Sequence, residues 1–203
     1  MTKTDLKKEL KDLYTAPKDR PVLLDVPILQ YVMIDGEGTP NDSKVFMDAM
    51  EALYGFSYTL KFMLKKGPEP MDFVVMPLQG LWWAEDMEEF SMDRKEDWLW
   101  TLMILQPDSV TKGMFEAACD ELRRKKDPAS LDRLRLETYH EGLSAQVMHI
   151  GPYEAEAPTI VGLHAFIKES GHTLRGKHHE IYMGDPRRTA PERLRTILRQ
   201  PVD

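Results

Sequence analysis

His178, Glu180 and Tyr182 fall at every second position in the stretch His178-His179-Glu180-Ile181-Tyr182-Met183. Side chains alternate along a strand, so these three share one face while Ile181 and Met183 take the other. A carboxylate beside an aromatic ring in an apolar strand is either half of a structural ion pair or the polar centre of a ligand pocket. Burial disfavours the charged form of a carboxylate, so a group kept there suits general acid–base chemistry or the neutralisation of a cationic ligand. The ion-pair alternative would draw on Arg187, Arg188, Arg193 or Arg195, which lie in or beyond the following turn. His178 and Glu180 could touch a metal together, but the spacing offers no third ligand, and no metal site is assigned.

Aromatic residues are the second resource. Trp82 and Trp83 follow Gly80, and in an extended segment they point to opposite faces, one to the core and one free to stack on a ligand. Tyr54, Tyr58, Phe73, Trp98, Trp100 and Tyr153 add to the supply. Rings placed around a carboxylate bind delocalised organic cations through cation–π attraction and charge neutralisation. The candidate ligand-contacting set is therefore Glu180, Tyr182, Trp82, Tyr153, Tyr58, Trp100 and His178. The 13 methionines serve as core filler and suit an adaptable pocket. There is no Gly-rich phosphate loop, no G-x-S-x-G elbow, no Cys/His nucleophile pair and no helix-turn-helix signature. No cofactor is expected.

The elements that must carry these residues can be read in order. Residues 4–14 read as a short helix with Leu6, Leu10, Leu13 and Tyr14 on one side, closed by Pro17. Val26 to Ile34 is a strand. Asn41-Asp42-Ser43 caps a long helix to about Lys66, with Phe46, Met50, Leu53, Tyr54, Leu60 and Leu64 inward. Asp72 to Pro77 reads as a second strand and Trp98 to Leu105 as a third, with an acidic excursion from Glu85 to Glu89 between them. Asp108 can cap a helix from Ser109 to about Lys125. Leu134 to Tyr139 and Leu143 to Ile150 read as two strands joined by a turn at Glu141-Gly142. A helix opened by Pro158, the His178 strand and a last strand from Leu194 to Val202 complete the chain.

The second half echoes the first. Val32-Met33-Ile34-Asp35-Gly36 answers Val147-Met148-His149-Ile150-Gly151, and Thr101 before Gln106-Pro107 answers Thr196 before Gln200-Pro201. The order strand–helix–strand–strand occurs twice, which predicts a pseudo-twofold α+β domain with a cleft where the copies meet.

The net charge of -7 over 203 residues speaks against a nucleic-acid surface. The single cysteine, Cys119, excludes an internal disulfide and reads as a buried, inert thiol. Neither a secretory signal nor a membrane span is visible, so a cytoplasmic protein is expected, away from membranes.

Several motifs in order carry a family resemblance: Gly80-Leu81-Trp82-Trp83, Gln106-Pro107-Asp108-Ser109-Val110-Thr111, Glu141-Gly142, His149-Ile150-Gly151-Pro152-Tyr153, His178-His179-Glu180-Ile181-Tyr182, Asp185-Pro186 and Leu198-Arg199-Gln200-Pro201. Over about residues 20–203 they resemble stand-alone GyrI-like proteins. The resemblance implies a duplicated strand–helix–strand–strand (SHS2-repeat) domain over 21–203, preceded by a helix and linker over 1–20. It also implies a fold shared with the effector-binding domains of multidrug-sensing transcription regulators. In those, a carboxylate in an E-x-Y motif, matched here by Glu180 and Tyr182, lies in an aromatic pocket for cationic drugs. Partners are then small aromatic or cationic organic compounds. Some similar stand-alone proteins hydrolyse the cyclopropane of DNA-alkylating natural products, which would make Glu180 catalytic with Tyr182 as its hydrogen-bond partner. The family pattern leads one to expect an acid before Gly80, where this chain has Gln79.

Overall fold

A computed structural model of the chain describes residues 3–40, 43–84 and 98–203. The elements are β1 (Lys3–Thr4), α1 (Leu6–Glu9), β2 (Val22–Glu37), α2 (Lys44–Lys66), β3 (Asp72–Phe73), β4 (Leu78–Trp83), β5 (Leu99–Leu105), α3 (Lys112–Lys125), β6 (Arg135–Ile150), α4 (Ala157–Glu169), β7 (His178–Tyr182) and β8 (Arg195–Pro201). Six strands close into a barrel in the order β2-β5-β4-β7-β8-β6, each pair antiparallel. The repeat expected from the sequence is present as β2-α2-β4-β5 and β6-α4-β7-β8, bridged by α3. Exchanging each strand for its counterpart reverses the barrel order without altering it, as a pseudo-twofold relation requires. The halves meet along β4–β7 and along β2–β6.

Helices α2 and α4 form for local reasons and cover the same face of the barrel wall. Ser43 Oγ accepts the Phe46 backbone N–H at the start of α2, and Gly67 follows its last turn. Its buried residues Ala49, Ala52, Leu53, Phe56 and Leu60 recur three and four apart. Pro158 in the first turn of α4 costs no hydrogen bond there. Leu163 and Ile167 of α4 pack with Ala145, Val147 and Leu198 from β6 and β8.

The opposite face, turned into the barrel, holds a buried polar chain. Gln79 Nε2 donates to Tyr14 Oη at 2.9 Å, and Gln79 Oε1 is 3.0 Å from His179 Nε2. His179 Nδ1 meets the Glu141 carboxylate at 2.9 Å, and Arg199 Nη1 meets its other oxygen at 3.1 Å. Arg199 Nη2 donates to the Leu13 carbonyl at 2.6 Å, and Gln146 Nε2 to that of Asp12 at 2.8 Å. The N-terminal segment therefore closes over the barrel interior with Leu13 and Tyr14 buried, and β1 pairs with β3 in parallel.

Several sequence expectations are corrected. The second strand of the first repeat is Leu78–Trp83, whereas Asp72–Pro77 supplies only the two-residue β3. Glu141-Gly142 is not a turn: β6 runs unbroken through it, because Gly142 takes φ +71° and bends the strand without ending it. α3 starts at Lys112, capped by Thr111 rather than Asp108. The 4–14 segment is a single α-turn followed by a 3-10 turn, Lys11–Tyr14. The two letter matches are also one residue out of step: Thr101 pairs with Asp35, but Thr196 pairs with His149 rather than Ile150. The run from Glu85 to Glu89 and the pair Asn41-Asp42 lie outside the described residues. Cys119 is half-buried, and burial pushes its thiol up to about 11.

Candidate functional site

The β4–β7 register builds the site. Gly80 stands opposite Glu180 and Trp82 opposite His178, on the face that α2 and α4 cover. Beyond Glu180, Tyr182 pairs with Thr196 of β8. A Cβ at position 80 would stand 2.7 Å from Trp82 Nε1 and 3.2 Å from Tyr182 Oη. Only glycine leaves room for both rings to lie over the backbone opposite the carboxylate.

Glu180 is 8% exposed. Its Oε2 accepts a hydrogen bond from Tyr182 Oη at 2.7 Å, and its Oε1 lies 3.5 Å from His178 Nε2. Among the described residues no arginine or lysine pairs with it: Arg187 is held by Asp185, and Arg199 by Glu141 and Gln146. The structural ion pair considered from the sequence is therefore not formed. Burial and then the Glu180 charge hold the Tyr182 phenol well above its ordinary range. Trp82 points its indole N–H toward the same hydroxyl, close enough to bear on its ionisation yet outside hydrogen-bond geometry.

Tyr153 packs edge-on against Tyr182, with ring centroids 5.6 Å apart. It is placed by His149, whose Nδ1 meets Thr159 Oγ1 at 2.9 Å and whose Nε2 meets the Pro152 carbonyl at 3.3 Å, fixing the turn into α4. Burial, followed by the charges of Glu156 and Glu180, pushes the Tyr153 phenol up to about 12. Glu156, 2% exposed at the start of α4, bears on both tyrosines through its charge.

Of the seven candidate residues, Glu180, Tyr182, His178, Trp82 and Tyr153 come together. Trp100 is fully buried beside Trp82, its ring spread over Gly36. Tyr58 stands on the exposed part of α2, stacked on Phe62. Trp82, rather than Trp83, faces the site; the Trp83 ring is already covered by the Lys177 ammonium, 3.2 Å from its centroid. Three contributors were missed from the sequence. Phe46 stacks on Trp82 and meets Trp100 edge-on, Glu156 brings its charge, and His164 of α4 is made less basic by burial and then by His178. All three sit on helix positions where the pattern signals only packing or capping. Two concavities of about 500 and 380 Å³ open elsewhere, beside the N-terminal segment; neither gathers the carboxylate–aromatic grouping around Glu180.

A carboxylate between rings, with its aromatic wall fixed from three elements, is an arrangement that suits a small organic molecule. The family model of the GyrI-like small molecule binding domain matches residues 20–203. The chain belongs to this family. A conserved protein of Listeria innocua is 39% identical to this GyrI-like chain, covering 98% of it and 100% of itself, with a TM-score of 0.91. A hydrolase of the same organism is likewise 39% identical, over 100% of both chains, with a TM-score of 0.89. The C-terminal domain of EcmrR, at 12% identity and a TM-score of 0.57 over 91% of this chain and 97% of its own, shares the fold alone. No curated protein matches. Among the described residues no helix is long and apolar enough to cross a membrane.

Proposed function

We propose that this GyrI-like domain binds planar or bulky aromatic compounds, preferentially cationic ones, against Glu180. One observation carries the reading. Glu180 is a nearly buried carboxylate flanked by Tyr182, Tyr153 and Trp82, and no described arginine or lysine neutralises it. Burying a charge without a counter-ion is costly, and a cationic ligand removes that cost while its ring system stacks on the aromatic wall.

A second reading is favoured by the Listeria innocua hydrolase, alike over the whole chain. Tyr182 holds one oxygen of Glu180 and leaves Oε1 directed toward His178. In that reading Oε1 takes a proton from water as the water oxygen bonds to a strained, electrophilic ring carbon, such as that of a cyclopropane-bearing alkylator. The ring C–C bond breaks, its electron pair passes into the acceptor group conjugated to the ring, and that group takes a proton from solvent while the phenol keeps the carboxylate oriented.

Tryptophan-fluorescence titration with a planar organic cation, on wild type and Glu180→Gln, tests the first reading. Chromatographic product analysis with a cyclopropane-bearing alkylator tests the second. Quenching that weakens at least about tenfold in Glu180→Gln, without product, establishes binding alone. Product that disappears in Glu180→Gln establishes hydrolysis. Absence of both from the wild type rejects the site.

A further inference from the structure

The polar groups around Glu180 specify more about the ligand than its charge. Among the described residues His178, 4% exposed, has no hydrogen-bond partner at either ring nitrogen. Its Nε2 lies 3.5 Å from Glu180 Oε1 with no hydrogen bond between them, so with the ring proton on Nδ1 these two atoms form a pair of adjacent acceptors. On the same face, Thr196 Oγ1 is buried beside Tyr182 and also lacks a partner. His164 Nε2, on α4, is a fourth such atom. Folded proteins leave few buried polar atoms unsatisfied, and these four belong to residues on, or packed beside, the face that carries Glu180.

We infer that the ligand class of this site is N–H-bearing cations, such as protonated amines, amidiniums and protonated heteroaromatic amines. Permanently charged quaternary ammonium or phosphonium ions are disfavoured. This rests on the reading of Glu180 as the counter-charge for an organic cation. An N–H cation donates to Glu180 Oε1 and, from the same planar group, to the acceptor nitrogen of His178. A quaternary cation satisfies the charge alone. It also dries the surrounding nitrogens and hydroxyl, and a buried polar group cut off from water without a partner opposes binding. His178 is therefore the residue that sets specificity, while Glu180 sets the charge.

The test compares two cations on one ring system, 2-naphthamidinium and 2-naphthyltrimethylammonium. Both are titrated by tryptophan fluorescence against wild type, His178→Leu, His178→Phe and Glu180→Gln. Wild type should prefer the amidinium by at least about tenfold, the effect of one unmade buried hydrogen bond. His178→Leu should bring the ratio to within about threefold of unity, and Glu180→Gln should weaken both ligands while keeping the preference. Wild type that binds the trimethylammonium equally well or better overturns the inference and leaves the cation site standing. A preference surviving in His178→Leu also overturns it. If neither cation binds wild type, the cation-site reading falls, and this inference with it. Should His178→Leu fail to fold, the wild-type ratio and His178→Phe decide.

Discussion

Gly80 faces Glu180 directly across the β4–β7 ladder, at the seam where the two repeats join. The pairing places a residue without a side chain opposite a nearly buried carboxylate. Trp82 and Tyr182, two residues along on either strand, lean into the space that results. A duplicated fold supplies such a seam automatically, since equivalent strands become neighbours at the pseudo-twofold. Polar specialisation is confined to one copy: β7 carries His178, Glu180 and Tyr182, while β4 contributes glycine and tryptophan to the same face.

Gly80→Ala tests how tightly that seam is filled. Its Cβ would meet Trp82 Nε1 at 2.7 Å and Tyr182 Oη at 3.2 Å, and both rings are packed. Overpacking costs about 1–3 kcal/mol, against about 0.4–1 kcal/mol gained from a stiffer unfolded chain. Net destabilisation should appear in urea unfolding, with a changed near-ultraviolet circular dichroism spectrum from the displaced tryptophan. An unchanged spectrum with raised stability would show that the rings are not fixed over Gly80.

Tyr182→Phe keeps the ring against Tyr153 and removes only the hydrogen bond to Glu180 Oε2. A bond to a charged acceptor contributes about 1.5–3 kcal/mol, so stability should fall by that order in urea unfolding. Tyr182→Leu should fall further, because the edge-on contact is lost too. An unchanged stability in Tyr182→Phe would mean that the phenol hydroxyl contributes nothing.

Much of the site could be read along a single strand. The alternation of His178, Glu180 and Tyr182 is local, and β7 keeps it. The buried chain Tyr14–Gln79–His179–Glu141–Arg199 could not be read in this way. Gln79 and His179 are 100 positions apart, and Glu141 and Arg199 are 58 apart, so nothing in the local pattern links them. Glu141-Gly142 misled because a glycine after a polar residue reads as a turn, whereas here the positive φ bends a continuous strand and aims Glu141 into the barrel. Leu78–Trp83 misled in the opposite sense. Its Gln79-Gly80 pair reads as a break, yet Gln79 is paid for by Tyr14 and His179, both distant in sequence.

Glu141→Gln should be among the most damaging polar substitutions. Arg199, 2% exposed, would keep its charge with no carboxylate opposite, and stranding one partner of a buried pair costs about 3–5 kcal/mol. Removing residues 1–17 should also destabilise the domain strongly, since Tyr14 and the Leu13 and Asp12 carbonyls satisfy Gln79, Arg199 and Gln146. Asp185→Asn, which breaks the exposed pair with Arg187, should leave the melting temperature unchanged. Comparable melting shifts for Glu141→Gln and Asp185→Asn would contradict the ranking.

Acid should weaken the fold in two steps, each with a named group. Burial holds His179 below its ordinary value of 6.5, and the neighbouring Glu141 offsets this only in part. The unfolded chain therefore takes up a proton there that the folded chain refuses, and stability declines as pH falls below about 6.5. For Glu141, burial alone would raise the carboxyl, but His179 and Arg199 outweigh it and hold the group down to about 2. Its contribution is complete above the ordinary value of 4.5 and is lost as pH falls from there toward about 2. Urea unfolding at pH 8, 5.5 and 3.5 should show both declines. His179→Asn should flatten the first without abolishing it, because His164 is also held below its ordinary value by burial and by His178. Stability that rises as pH falls from 8 to 5.5 would mean that His179 already carries its proton in the folded barrel, donating to both Glu141 and Gln79.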